Sequence, residues 1–342
     1  MKIRNHYQDF LQLLDKGSLK KVMNGVRLLG SYYLSKWSKQ NIHGGMPISV
    51  AFEPTTSCNL RCPECPSGLR SFSRPTGMLS ASFFQEKIDE LAPYLLYLTF
   101  YFQGEPYLHP NFLEMVSYAN KKKIYTATST NAHYLSSEQA KKTVESGLNR
   151  LIISIDGTTQ ETYSAYRVGG KLHKVIEGTR EVVRWKKQLN SPTPHIIFQF
   201  LVVRPNEHQI EEVHQLAKEL GVNEVKLKTA QIYDYEQGSP LIPTLDQYSR
   251  YAKKNDSTYQ IKNPLDHSCW KMWHSCVITW DGKIVPCCFD KDAHHQLGDL
   301  SQKRFREEWK SPAYQKFRQQ LLKGRSQIEI CKNCTEGTKV FV

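Results

Sequence analysis

Three cysteines fall within eight residues in the stretch Cys58-Asn59-Leu60-Arg61-Cys62-Pro63-Glu64-Cys65. Thiolates are soft ligands; four of them close a tetrahedral zinc site or ligate the four irons of a [4Fe–4S] cube. Three from one short loop, spaced C-x3-C-x2-C, leave one iron of such a cube without a side chain. An open metal position is where a small molecule binds. Zinc completed by a distant His or Cys, or a redox pair within Cys62-Pro63-Glu64-Cys65, are the competing readings. A second group, Cys269, Cys287, Cys331 and Cys334, has the spacing C-x17-C-x43-C-x2-C and forms a closed quartet. Zinc competes there too, and Cys288 competes with Cys287 for its ligand place. Cys276 reads as a small buried hydrophobe.

The first group follows a candidate strand, 48–53. Five more come after it, at 96–103, 124–130, 150–156, 195–203 and 224–230, with helical patterns at 80–92, 111–123, 136–147 and 208–221. Alternation of this kind predicts a parallel α/β sheet, here a partial (β/α)6 TIM-like barrel. Along several strands apolar residues alternate with polar ones (Val50 and Phe52 with Ser49 and Glu53, Ile153 and Ile155 with Ser154 and Asp156). One face should therefore pack on helices while the other lines a polar lumen, with chemistry at the C-terminal strand ends. Glu53, Tyr101, Lys226 and Lys228 are the lumen candidates for substrate binding or proton transfer. A connector rich in Pro, Asn and Tyr (232–268), a β-hairpin around Asp281-Gly282 and a helix broken near Pro312 make up a small C-terminal iron–sulfur domain. The expected organisation is an N-terminal extension 1–45, a barrel 46–235 and a C-terminal domain 236–342.

The chain has 342 residues, 39% hydrophobic and 23% charged, with a formal net charge of +13. No apolar run reaches the roughly 18 residues of a membrane span, and the N-terminus lacks the apolar core of a secretory signal. A cytoplasmic location is expected, where thiols stay reduced and clustered cysteines bind metal. The charge favours an anionic partner, but no RNA-binding module is recognisable and nucleic acid is not expected as one. About half the excess positive charge lies in the first 45 residues. There, 18–39 reads as an amphipathic helix whose apolar stripe is Leu19, Val22, Met23, Val26, Leu29, Tyr33 and Trp37. That stripe should pack on its own domain or lie on an anionic membrane surface, a peripheral contact.

The motif Cys58 to Cys65 resembles the signature of radical S-adenosylmethionine (radical SAM) enzymes. The resemblance implies that S-adenosylmethionine chelates the open iron through its amine and carboxylate, and is cleaved to a 5′-deoxyadenosyl radical that abstracts hydrogen from substrate. Glu64 departs from the aromatic or hydrophobic residue usual before the last cysteine. Phe102-Gln103-Gly104-Glu105-Pro106 resembles the family's Gly-Gly-Glu-Pro stretch, and Thr130-Asn131 its Thr-Asn-Gly stretch. The segment from Ser154 through Asp156 to Arg167 resembles the one that holds the cofactor carboxylate. Gln103, Gly104, Glu105, Asn131, Ser154, Asp156 and Arg167 are thus the implied cofactor-binding residues. The second group resembles the "twitch" form of the SPASM domain and implies one auxiliary [4Fe–4S] cluster. An electron donor such as flavodoxin or ferredoxin is implied as a partner.

The resembled branch includes enzymes that oxidise aminocyclitols or sulfatase side chains. The first expectation is therefore dehydrogenation of a small polar or sugar-like substrate, with the auxiliary cluster as electron acceptor. The alternative is a peptide- or protein-modifying maturase. A non-enzymatic iron–sulfur or zinc-binding protein is a third reading, weakened by the three-cysteine site, since electron carriers use closed clusters.

Overall fold

The structure is a computed structural model that describes residues 2–262 and 264–335, with side chains from Tyr7 on; residues 336–342 of the expected C-terminal domain lie outside the described residues. Six strands form in the expected places: β1 (Ser49–Phe52), β2 (Tyr97–Thr99), β3 (Tyr125–Thr130), β4 (Arg150–Ser154), β5 (His195–Val202) and β6 (Glu224–Thr229). They pair in sequence order, each parallel to the next. Helices cross between them, including Ala81–Leu91, Phe112–Lys121, Ser137–Glu145, Leu172–Gln188 and Ile210–Leu220. Their starts are chemically marked: the hydroxyls of Ser80 and Ser136 accept the amide protons of Phe83 and Gln139, and capping of this kind contributes about 1 kcal/mol. The second strand is shorter than the expected 96–103 because the chain leaves the ladder to enter the loop at Gly104.

The strand alternation sorts as expected. Val50, Phe52, Leu98, Phe100, Ile153 and Ile155 are fully buried in the main core. Ser129, Ser154 and Gln199, from the opposite alternation, line a cavity.

A short antiparallel pair, β7 (Tyr251–Lys253) and β8 (Tyr259–Ile261), arises within the expected connector. The hairpin β9 (Ser275–Ile278) and β10 (Lys283–Val285) does not stand apart from the barrel. The first of its strands pairs parallel with β1, Ser49 opposite Ser275 and Phe52 opposite Ile278, and β11 (Gly298–Asp299) completes a nine-stranded sheet. Cys287 therefore follows directly on a continuation of the barrel sheet.

Glu53 is a correction to the lumen assignment. It follows β1 fully buried, and Arg74 donates to both carboxylate oxygens at 2.8 and 2.5 Å while the Trp280 amide donates at 3.3 Å. Burial pushes its carboxyl up and Arg74 pulls it down. Glu53 thus fastens the 70–79 loop and the hairpin to the barrel rim. Arg74→Ala, by stranding a buried carboxylate, is expected to destabilise the fold by about 3–5 kcal/mol. The denaturant midpoint reads this, and Glu53→Gln in the same chain should recover part of the loss.

The N-terminal helix Leu19–Ser38 does not pack on its domain through the apolar stripe, the first of the two placements expected of it. Lys21, Asn24, Leu28, Ser31 and Ser35 form the buried face. Asn24 exchanges hydrogen bonds with the backbone of Met46 at 2.7 and 2.8 Å, Ser35 donates to the Ile42 carbonyl at 2.6 Å, and the Lys21 ammonium donates to the carbonyls of Lys16 and Lys123. The helix is anchored by directed polar contacts, so its apolar stripe faces outward. From the preceding helix, Lys2–Leu14, Asp9 accepts from Tyr125 and Arg150 at the first residues of β3 and β4. The extension therefore covers the end of the barrel where strands begin.

Candidate active site

Cys58, Cys62 and Cys65 lie on the loop after β1 and share one cavity of about 250 Å³ at the C-terminal strand ends. The loop is held tightly. The Arg61 amide donates to Val168 at 2.9 Å, and a Cβ on Gly68, in the helix Pro66–Leu69, would sit 2.6 Å from the Cys62 nitrogen. Gly104 has φ +75°, and a Cβ there would come 2.2 Å from the Thr55 carbonyl oxygen. Only glycine fits so close an approach. Its amide donates to Ser67 at 2.8 Å, and the Glu105 amide donates to Ser57 at 2.8 Å, tying the β2 exit to the cysteine loop.

Burial pushes the Cys58 thiol up to about 11 and raises that of Cys62, against which the neighbouring Arg167 acts. The Arg167 Nη1 lies 3.8 Å from the Cys62 sulfur. Its Nε donates to Asp156 at 2.5 Å. Burial disfavours the guanidinium charge, but Asp156 and Cys62 outweigh it and hold the Arg167 pKa well above its usual value. Arg167 is thus a fixed cation between a carboxylate and a sulfur.

The implied cofactor residues divide into two sets. Gln103, Gly104, Glu105, Asn131, Ser154 and Arg167 line the cavity together with the cysteines. Asp156 does not: it is fully buried behind Arg167, its other oxygen accepting the Leu201 amide at 2.7 Å. It positions Arg167 rather than facing a ligand. Glu105 is inside the cavity wall but heavily used, accepting from Thr130 Oγ1 at 2.7 Å and from the amides of Asn131 and Tyr107 at 2.8 and 3.2 Å. Burial raises its pKa, with the Asn131 amide opposing. Of the lumen candidates only Tyr101 lines the cavity. Lys226 and Lys228 stand beside Gln199 and Leu201 in register, one strand too far out, on the last strand of the open barrel; Lys226 pairs with Glu224 at 3.5 Å. Glu64 turns aside, accepting the Tyr233 amide at 3.0 Å.

Sequence reasoning missed the wall above this loop. Leu60, Cys62, Tyr166, Val203, Ala230, Ile232, Ile242 and Tyr251 make a second apolar cluster, against which Cys58 and Cys65 pack. Much of it comes from the connector, whose scattered Ile and Tyr show no helical or strand period. Such a shell limits water at the cysteines.

Cys269 lies near enough to Cys287 and to Cys331 for their charges to interact, and Cys331 near enough to Cys334. Arg325, fully buried, faces Cys269, Cys331 and Cys334 and donates to the Ser268 carbonyl at 3.4 Å. Burial pushes the Cys331 thiol up to about 12, with Arg325 countering it. Arg325 lies in a short helical turn, Arg325–Gln327, with no motif to announce it. Asn333, between the last two cysteines, donates to Ile232 at 2.7 Å and accepts from Tyr251 at 2.9 Å, locking this site to the connector. Cys276 is fully buried, as expected. Cys288 is exposed and lies 3.7 Å from the Lys271 ammonium, whereas Cys287 interacts with Cys269. Cys287→Ala is therefore expected to lower bound iron, and Cys288→Ala to leave it unchanged; iron analysis of the two variants distinguishes them.

Among the described residues, no three His, Cys, Asp or Glu converge on a single-ion site. The two cysteine sets fit iron–sulfur clusters, in which each thiolate meets a different iron. A buried arginine beside each set offsets thiolate charge. Ser154, Asn131 and the Gly104 backbone give the first cavity polar groups for a zwitterionic cofactor.

The sequence matches the radical SAM superfamily over residues 52–233 and the SPASM iron–sulfur cluster-binding domain over residues 269–335. It is similar to the tungsten-containing aldehyde ferredoxin oxidoreductase cofactor-modifying protein of Pyrococcus furiosus, 25% identical over 296 residues, 78% of this chain and 82% of that protein. It is also similar to the PqqA peptide cyclase of Rhodopseudomonas palustris, 29% identical over 205 residues, 59% of this chain; the match spans only 52% of the cyclase. The solved structure of Streptococcus suis SuiB bound to precursor peptide SuiA shares the fold, with a TM-score of 0.62 at 13% identity over 86% of this chain and 72% of that one. With more than half its length matched, the chain belongs to the radical SAM superfamily and is an enzyme that uses S-adenosylmethionine and a [4Fe–4S] cluster and carries a SPASM iron–sulfur domain.

Proposed function

We propose that this enzyme modifies a peptide or protein side chain, in place of the small sugar-like substrate expected from the single cysteine quartet. The observation that carries this reading is the size and setting of the cavity. Sites that enclose a small ligand run to about 300–1,000 Å³. At about 250 Å³, the space beside Cys58, Cys62 and Cys65 falls below that range, which leaves no enclosed room for a separate substrate beside the cofactor. A second cavity of about 280 Å³ lies across the helix Pro66–Leu69, lined by Leu69, Tyr233, Phe289, Lys291 and Asp292 among others. Its mix of apolar and charged groups suits an extended chain that presents one residue at the mouth, near Tyr101. The relatedness to a peptide cyclase supports the same substrate class.

In this reading Cys58, Cys62 and Cys65 hold the cluster, and Arg167, Ser154, Asn131, Gln103 and Gly104 hold S-adenosylmethionine. Asp156 fixes Arg167, and Glu105 fixes Asn131. A bound cluster, reduced by a flavodoxin- or ferredoxin-type donor, would supply the one electron needed to cleave S-adenosylmethionine to methionine and a 5′-deoxyadenosyl radical. The wall of Leu60, Tyr166, Ile232 and Tyr251 keeps water away from that chemistry. Cys269, Cys287, Cys331 and Cys334 would hold the auxiliary cluster, which would supply an electron acceptor.

The test uses reduced, cluster-loaded enzyme with S-adenosylmethionine and either deuterated peptides encoded beside its gene or deuterated aminocyclitols. Deuterium appearing in 5′-deoxyadenosine from a peptide is expected. Transfer from an aminocyclitol alone contradicts the proposal.

A further inference from the structure

We propose that the outward face of the N-terminal helices is a docking surface for an anionic lipid bilayer, seating the enzyme at a membrane with its active-site mouth turned away. More than half of the exposed large hydrophobic side chains among the described residues fall between Tyr7 and Trp37. On the helix Leu19–Ser38 the stripe comprises Leu19, Val22, Met23, Val26, Leu29, Tyr33, Leu34 and Trp37, from 46% to 85% exposed. At 100° per residue it covers about 140° of the helix surface. Contiguous exposed apolar surface of this kind marks an interaction site.

The charge around the stripe selects the occupant. Lys20 and Arg27 border it on one side and Lys36 on the other, all exposed, and Lys39 follows at the C-cap. No Asp or Glu occurs between Leu19 and Ser38. Apolar residues flanked by cations, with Trp37 at one end, are the pattern of a helix lying in the headgroup region of an anionic bilayer. A protein partner or second copy would need a complementary acidic rim around an apolar groove. A bilayer meets a convex helix without one.

The way the helix is attached adds a second argument. Asn24, Ser35 and Lys21 fix its polar face to Met46, Ile42 and Lys123, so the stripe cannot turn inward without breaking those bonds. No helix among the described residues is long and apolar enough to cross a membrane, which leaves surface contact as the mode. The helix reaches Lys123 and Tyr94, just before β3 and β2, at the end of the barrel opposite the cysteine cavity. Substrate access therefore stays open on a bound enzyme.

The experiment is co-sedimentation of full-length, cluster-loaded enzyme with phosphatidylcholine vesicles, with and without phosphatidylglycerol. Binding only to the anionic vesicles, weakened by salt, is expected. Val22→Glu with Val26→Glu should reduce partitioning at least about tenfold, since burying one Val contributes more than the 1.4 kcal/mol of a tenfold change. Lys20→Glu with Arg27→Glu should abolish the preference for phosphatidylglycerol. These side chains are exposed, so reductive cleavage of S-adenosylmethionine should be unchanged in both variants, which shows that they remain folded. Binding that ignores the substitutions overturns the proposal. So does absence of binding with self-association through the stripe, seen as a dimer by light scattering that Val22→Glu with Val26→Glu dissociates.

Discussion

Cys62→Ala is expected to abolish reductive cleavage of S-adenosylmethionine, measured as 5′-deoxyadenosine formed by the reduced enzyme. Cys62 is the most buried of the three loop cysteines, 5% exposed, and the one that Arg167 faces. Removing its sulfur takes a ligand from the cluster and also leaves Arg167 turned toward a void. Changes to groups merely supporting a metal ligand cost about 10–100-fold in affinity or activity, so loss of the ligand itself should exceed about 100-fold. Asp156→Asn supplies the comparison. It keeps all three sulfurs and loosens Arg167, so cleavage should fall while iron content is retained. If Cys62→Ala cleaves the cofactor at the normal rate, the loop is not the site.

The second large effect concerns the quartet. Cys331→Ala with Cys334→Ala should remove roughly half of the bound iron, because two [4Fe–4S] clusters become one. Reductive cleavage should persist, since the cavity that holds Cys58, Cys62 and Cys65 has its own walls. Completed turnover of substrate should stop if the auxiliary cluster is the electron acceptor. Arg325 makes a graded version available. Arg325→Gln keeps four thiolates but withdraws the buried positive charge that faces Cys269, Cys331 and Cys334. It should lower the reduction potential of the auxiliary cluster with iron content unchanged, as loss of a nearby cation disfavours the more negative reduced state. Iron analysis and redox titration read the two variants separately.

The barrel was legible because strand alternation is imposed on the sequence by burial on one face and a polar cavity on the other. Val50 and Phe52 go inward to the helices, and Ser154 goes to the cavity. The cysteine sites were legible because thiolate spacing is local. What stayed hidden depended on partners distant in sequence. Glu53 looked like a lumen acid on its strand, and only the return of the 70–79 loop brings Arg74 to it. Lys226 and Lys228 do face the side that Gln199 and Leu201 face, but an open barrel leaves its last strand at the edge. Their place outside the cavity lining is a consequence of incomplete closure, which no single strand records.

The N-terminal helix shows a different limit. Amphipathicity identifies two faces without saying which one meets the protein. Here Asn24 and Ser35 each satisfy backbone groups of the 42–46 segment, and these specific bonds outweigh the general preference for burying Val and Leu. The hairpin was readable as a hairpin, yet its pairing with β1 was not, since a strand edge carries no sequence label for its neighbour.

Electron–nuclear double resonance on the Cys331→Ala, Cys334→Ala enzyme, reduced and mixed with S-adenosylmethionine labelled with ¹⁵N at its amine, tests the central claim most directly. With only the three-cysteine cluster present, a strong nitrogen coupling to the cluster is the predicted result, because the cofactor occupies the iron that no side chain reaches. A spectrum unchanged by the labelled cofactor would contradict the account.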